Sequence, residues 1–128
     1  MQVSMKIYQM LQIALLCMVC NFSVAGSSTV FLGKNICTKS KSVCVKGTMQ
    51  YHYSKGLLTF HGRVKKTTKP GVLVIRVQGI SKDNEFYSAY FQANLRGKYS
   101  EIIDIESDSV LKNRRDIKWK VRSVSYGS

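Results

Sequence analysis

Val72-Leu73-Val74-Ile75-Arg76-Val77 is the stretch that decides the fold. It is apolar in both phases of a two-residue repeat and dominated by β-branched side chains. That combination marks a strand near the centre of a sheet and is too short for a buried helix. On its N-terminal side stands Lys65-Lys66-Thr67-Thr68-Lys69-Pro70-Gly71, a polar turn closing on a Pro-Gly reversal.

Outward from this run the pattern keeps a period of two. Thr29-Val30-Phe31-Leu32 opens a first strand that is expected to end near Cys37. Val43, Val45, Met49, Tyr51 and Tyr53 hold odd positions in a second, and Ser54-Lys55-Gly56 turns the chain into a third, Leu57 to Val64. Beyond the central run, Phe86 to Leu95 forms a strand leading into Arg96-Gly97-Lys98. Ile102, Ile103 and Ile105 mark another, and Ile117, Trp119, Val121 and Ser123 alternate with Lys118, Lys120 and Arg122 in the last. Seven strands separated by turn signals predict an all-β antiparallel sandwich or barrel-like domain. A weak helical alternative exists only over 107–113. The expected core is Phe31, Val45, Leu58, Phe60, Val72, Val74, Tyr90, Ile103, Trp119 and Val121.

The segment before this domain reads differently. Lys6 precedes an apolar run, Met10 to Cys20, of about half the length a bilayer span requires, and Ser23-Val24-Ala25 offers small residues for a peptidase. Residues 1–25 are therefore expected to be a signal peptide, and residues 26–128 a single secreted domain. Cys17 and Cys20 would leave with the signal. Cys37 and Cys44 remain, and an isolated pair in an oxidising compartment is expected to bond. Two thiols alone do not complete a metal shell.

The chain has 20 Lys and Arg against 7 Asp and Glu, a formal charge of +13; removing Lys6 leaves 13 − 1 = +12. The distribution is lopsided. From Gly26 to Lys82 there are 11 basic residues and no acid, whereas all 7 acids fall between Asp83 and Asp116. Such a field attracts polyanions: sulfated glycans, anionic lipid surfaces or acidic proteins. A secreted protein meets little nucleic acid. The candidate binding residues are Lys39 and Lys41 in the disulfide turn and Lys65, Lys66 and Lys69 in the basic turn. Arg114-Arg115 with Lys118, Lys120 and Arg122 forms a second cluster. Tyr51, Tyr53, Tyr87, Tyr90 and Tyr99 lie between these patches, although base stacking would need their rings exposed.

The enzymatic alternative is a small basic nuclease in which His52 and His61 share acid–base work. Nothing in their nine-residue spacing brings the two imidazoles together, and no phosphate loop, nucleophile elbow or His-Glu-x-x-His is present. No catalytic residue and no cofactor is therefore assigned. Asp104, Glu106 and Asp108 alternate on one strand face. Without a glycine-turned loop they read as solvated acids, so no metal is assigned.

Four segments resemble the insect multiprotein bridging factor 2 family. They are Val30-Phe31-Leu32-Gly33-Lys34; Val74-Ile75-Arg76-Val77 with its Asp83 turn; the Ala89 strand running to Gly97; and Ile103-x-Ile105-x-Ser107 with the closing Tyr126-Gly127. The family includes a silkworm transcription coactivator and many small secreted proteins of insect saliva and venom. The chain departs from it in the Cys37–Cys44 loop, which replaces a Gly-Asp, and in a reduced glycine-rich centre. The resemblance implies a non-enzymatic salivary or venom protein, with a coactivator as the alternative, and supplies no catalytic residues.

Overall fold

A computed structural model of the chain describes residues 27–127. The expected signal peptide, its Cys17 and Cys20 and the junction after Ala25 lie outside the described residues. Among those residues the chain is all-β, with eight strands: β1 (Ser27–Phe31), β2 (Ile36–Cys37), β3 (Cys44–His52), β4 (Leu57–Lys65), β5 (Gly71–Ile80), β6 (Phe86–Leu95), β7 (Ser100–Glu106) and β8 (Lys118–Gly127). One strand more than expected appears because the first run breaks at 32–35. Its two pieces pair separately with β3, Ser27–Phe31 against Thr48–His52 and Ile36-Cys37 against Cys44-Val45.

The strands form two antiparallel sheets. One runs β1-β3-β4-β7 with β2 also on β3, and the other runs β6-β5-β8. β5 is the middle strand of the second sheet, as its β-branched run predicts. The sheets are not closed into a barrel; one backbone bridge, between Phe91 and Ser107, joins them at a corner. The segment 107–113 is irregular, and no helix is present among the described residues.

The core lies between the sheets. Phe60 of one packs tilted against Phe91 of the other at 5.8 Å, and Tyr51 lies 5.6 Å from Trp119. Val45, Leu58, Phe60, Ile103 and Trp119 are buried as expected. A fully buried Leu or Phe of this kind stabilises the fold by about 1.5–3 kcal/mol.

The other half of the expected core needs correcting. Leu73, Ile75 and Val77 face inward on β5, while Val72 and Val74 are half-buried on its outer face. A strand apolar in both phases contains no signal for its own orientation. Phe31 is 77% exposed and Tyr90 45% exposed, because each falls in the outward phase of its strand. Val121 is half-buried. Between the pairs Arg76–Ser123 and Val77–Val121 the register shifts, leaving Arg122 as an extra residue. After this bulge the even positions turn inward, so Val124 is buried where alternation would have placed Ser123.

Candidate polyanion-binding surface

The topology sorts the connections between the two ends of the sandwich. The disulfide turn before β3, the β4–β5 turn and the β6–β7 turn share one end. The β3–β4 and β5–β6 turns and the long β7–β8 connection share the other.

The first end is the basic one. Cys37 and Cys44 are cross-strand partners joined by a disulfide, and Cys44 in turn faces Lys65 on β4. The tip carrying Lys39 and Lys41 therefore projects beyond the end of β4. The Lys66 amide donates to the Tyr99 carbonyl at 2.7 Å, the buried Thr67 hydroxyl donates to the Lys98 carbonyl, and the Tyr126 hydroxyl donates to the Lys69 carbonyl. These bonds stitch the β4–β5 turn to the β6–β7 turn and to the end of β8. Gly97, at φ +87, packs so closely on the Lys69–Pro70 backbone that a side chain there would collide.

All five lysines chosen from the sequence thus stand at one end, but not in one patch. Lys39 lines a depression of about 440 Å³ beside Arg76 and Tyr126, over β8. Lys65 lines another, of about 430 Å³, on the outer face of the larger sheet with Lys46, Arg63 and His61. Lys41 and Lys66 adopt left-handed backbone conformations, at φ 60 and φ 75. Among the described residues, the other two non-glycine residues with positive φ are Asn84 and Asn113, a residue type suited to that region.

Sequence reasoning missed four cations at this end. Lys46 and Arg63 are direct register partners, and Arg96 and Lys98 flank Gly97 in the β6–β7 turn. The signal for the first pair was present in the Ser54-Lys55-Gly56 turn, since counting outward from it aligns Lys46 with Arg63.

The one acid among these cations is Glu101, and its charge is already engaged. Its carboxylate accepts the backbone N–H groups of Arg96 and Gly97 at 3.1 Å and of Lys98 at 3.2 Å. Partial burial pushes its pKa up, but the three amides and the nearby Lys98 outweigh that, and the net shift is downward.

The opposite end carries mixed charge. Asp83 and Glu85 lie in the β5–β6 turn. Arg114 is held by both oxygens of Asp116 at 3.0 Å, and Arg115 lies 5.0 Å over the Tyr53 ring. Two of the five cations in the second cluster read from the sequence, Arg114 and Arg115, are therefore committed to their own neighbours, while Lys118, Lys120 and Arg122 are exposed along β8. Tyr51 and Tyr53 are buried, Tyr87 is half-buried, and only Tyr90 and Tyr99 are exposed.

The two histidines are not brought together. Thr48 is the residue opposite His61, and His52 lies four residues further along β3, about 13 Å of strand. His52 shares a hydrogen bond with the Thr59 hydroxyl at 2.9 Å, while His61 lies 3.8 Å from Asp104. Burial, then Lys55, pulls the His52 pKa below its ordinary value. Of the three alternating acids, Asp104 and Glu106 point outward from β7, whereas Asp108 accepts the Tyr90 amide at 3.0 Å.

Comparison with family models, curated proteins and solved structures finds no match to this chain.

Proposed function

We propose that the chain is a secreted, non-enzymatic binding protein that engages an anionic extracellular partner through the basic end of its sandwich. The observation carrying this reading is the separation of charge. Lys39, Lys41, Lys65, Lys66, Lys69, Arg96 and Lys98 share one end, and the single carboxylate among them, Glu101, is bound to backbone amides. Seven cations against one carboxylate leave this end strongly positive, and such a surface draws anions from solution. The left-handed Lys41 and Lys66 support the same reading. Both place a basic side chain at a backbone position better suited to glycine or asparagine, the kind of local strain that accompanies functional surfaces. The disulfide is compatible with an oxidising compartment. The resemblance to the bridging factor 2 family favours a component of insect saliva or venom.

The test is salt-dependent retention on immobilised heparin, a general polyanion. Elution below about 0.2 M salt overturns a dedicated site, because weak patches are screened first. Replacing Lys39, Lys41, Lys65, Lys66 and Lys69 with serine is expected to bring elution to lower salt. Secretion is tested separately by mass spectrometry of the secreted protein, which is expected to begin at Gly26.

A further inference from the structure

We infer that the trough crossing the outer face of β3, β4 and β7 binds a linear sulfated glycan, an assignment that rests on the polyanion reading of the basic end and deepens it. Lys46 and Arg63 are register partners on adjacent strands, and Lys65 follows Arg63 by two residues on the same face. These three cations line the 430 Å³ depression. Arg63 and Ile102 also line an adjoining depression of about 440 Å³ with Arg96, Lys98 and Glu101, three cations against one carboxylate. The positive groups therefore follow one another across two hollows that share Arg63 and Ile102. The Arg63 guanidinium is positioned by donating to the Ser100 hydroxyl at 2.7 Å.

Three features choose among polyanions. First, the site is recessed. Gly47 and Gly62 face each other across β3 and β4 and line it with bare backbone, and a Cβ on either would collide with the opposite strand. A single extended chain can lie across the strands in such a hollow. Second, the amides of the β6–β7 turn, which would cradle one compact phosphate, already hold Glu101. The remaining recognition comes from side-chain cations spread along the trough, which suits sulfates spaced along a polymer. Third, the apolar element in the trough is Ile102, 64% exposed, and no Tyr, Phe or Trp lines either hollow. Single-stranded nucleic acid calls for aromatic platforms that this trough lacks, whereas a sulfated chain is held through its charges.

The experiment measures binding of a size-defined heparin oligosaccharide to the secreted domain by calorimetry. Two variants are compared, Lys46→Ser with Arg63→Ser in the trough, and Lys39→Ser, Lys41→Ser, Lys66→Ser and Lys69→Ser on the turns. Near-UV circular dichroism verifies that each is folded. The trough variant is expected to weaken binding about tenfold, roughly the loss of two partly exposed charge contacts. Wild-type affinity in the trough variant with a loss in the turn variant overturns the trough and leaves the basic-end reading standing. Binding to phosphatidylserine vesicles or to poly(U) in preference to the oligosaccharide also overturns it. No binding to any of the three polyanions removes both readings.

Discussion

The backbone N–H of Arg96 donates to both carboxylate oxygens of Glu101, each at 3.1 Å, so the one acid at the basic end closes one of its turns while still carrying its negative charge. Replacing it as Glu101→Gln keeps the size and removes the charge from these bonds. Charge-assisted hydrogen bonds are roughly twice as strong as neutral ones, so the expected cost is about 1 kcal/mol of stability, read by urea unfolding. The same change adds one unit of positive charge to the surface and is expected to raise the salt needed for elution from heparin. Earlier elution would mean that the turn's shape matters more than its charge.

The left-handed Lys66 makes the opposite trade. Lys66→Asn places at φ 75 a residue that tolerates this region, and is expected to raise stability by about 0.5 kcal/mol or leave it unchanged. It is expected to weaken polyanion retention at the same time. A stability loss above about 1 kcal/mol would show that the lysine side chain is a packing element instead.

Phe60 and Phe31 were both expected in the core, and the structure separates them. Phe60 is fully buried against Phe91, and Phe60→Ala is expected to cost about 3–5 kcal/mol. Phe31 lies on the outer face opposite Thr48, and Phe31→Ser is expected to fall within about 0.5 kcal/mol of wild type. Thermal or urea unfolding of the two single variants checks both.

These two residues also show what the sequence makes legible. The strand-and-turn pattern was plain, because period two and Pro-Gly or Lys-Gly turns are local signals. The phase was not plain on β5, where Val72 to Val77 is apolar at both alternations, and only packing selects Leu73, Ile75 and Val77. On β8 the bulge at Arg122 reverses the phase with no local mark in composition. At the candidate surface, the lysine-rich turns were visible as runs. Lys46 and Arg63 were not, since they form no run in the sequence and meet only across the ladder. The His52 and His61 alternative depended on a register that the turn could have supplied, and that register holds the rings apart.

The Cys37–Cys44 bond closes a short loop over a single cross-strand pair. On the chain-entropy model it contributes about 2–2.5 kcal/mol, so the double variant Cys37→Ser with Cys44→Ser is expected to fold with that much less stability. Its heparin elution is expected to shift to lower salt, because the tip carrying Lys39 and Lys41 loses its anchor. Failure to fold would show that the bond is required and not merely supportive.

Asp116 sets an acid limit on stability at the opposite end. The paired hydrogen bonds from Arg114, opposed by partial desolvation and aided by the Lys82 amide, hold its carboxyl down at about 2. The folded value is below the unfolded one, near 3.9, so the folded state binds its proton less readily. The stabilisation is therefore complete above the unfolded value and is lost as pH falls from about 4 through 2. Asp116→Asn removes this dependence and is expected to flatten the fall in Tm across that window while lowering Tm at pH 7. The loss at neutral pH arises because Arg114 also supplies one of the two carbonyls that accept the buried Tyr51 hydroxyl, at 2.8 Å. Releasing its side chain loosens the β7–β8 connection over the Tyr51–Trp119 contact. An unchanged acid limb in the variant would assign the fall to Glu101, whose carboxyl is also shifted downward and whose loss would be felt at the basic end.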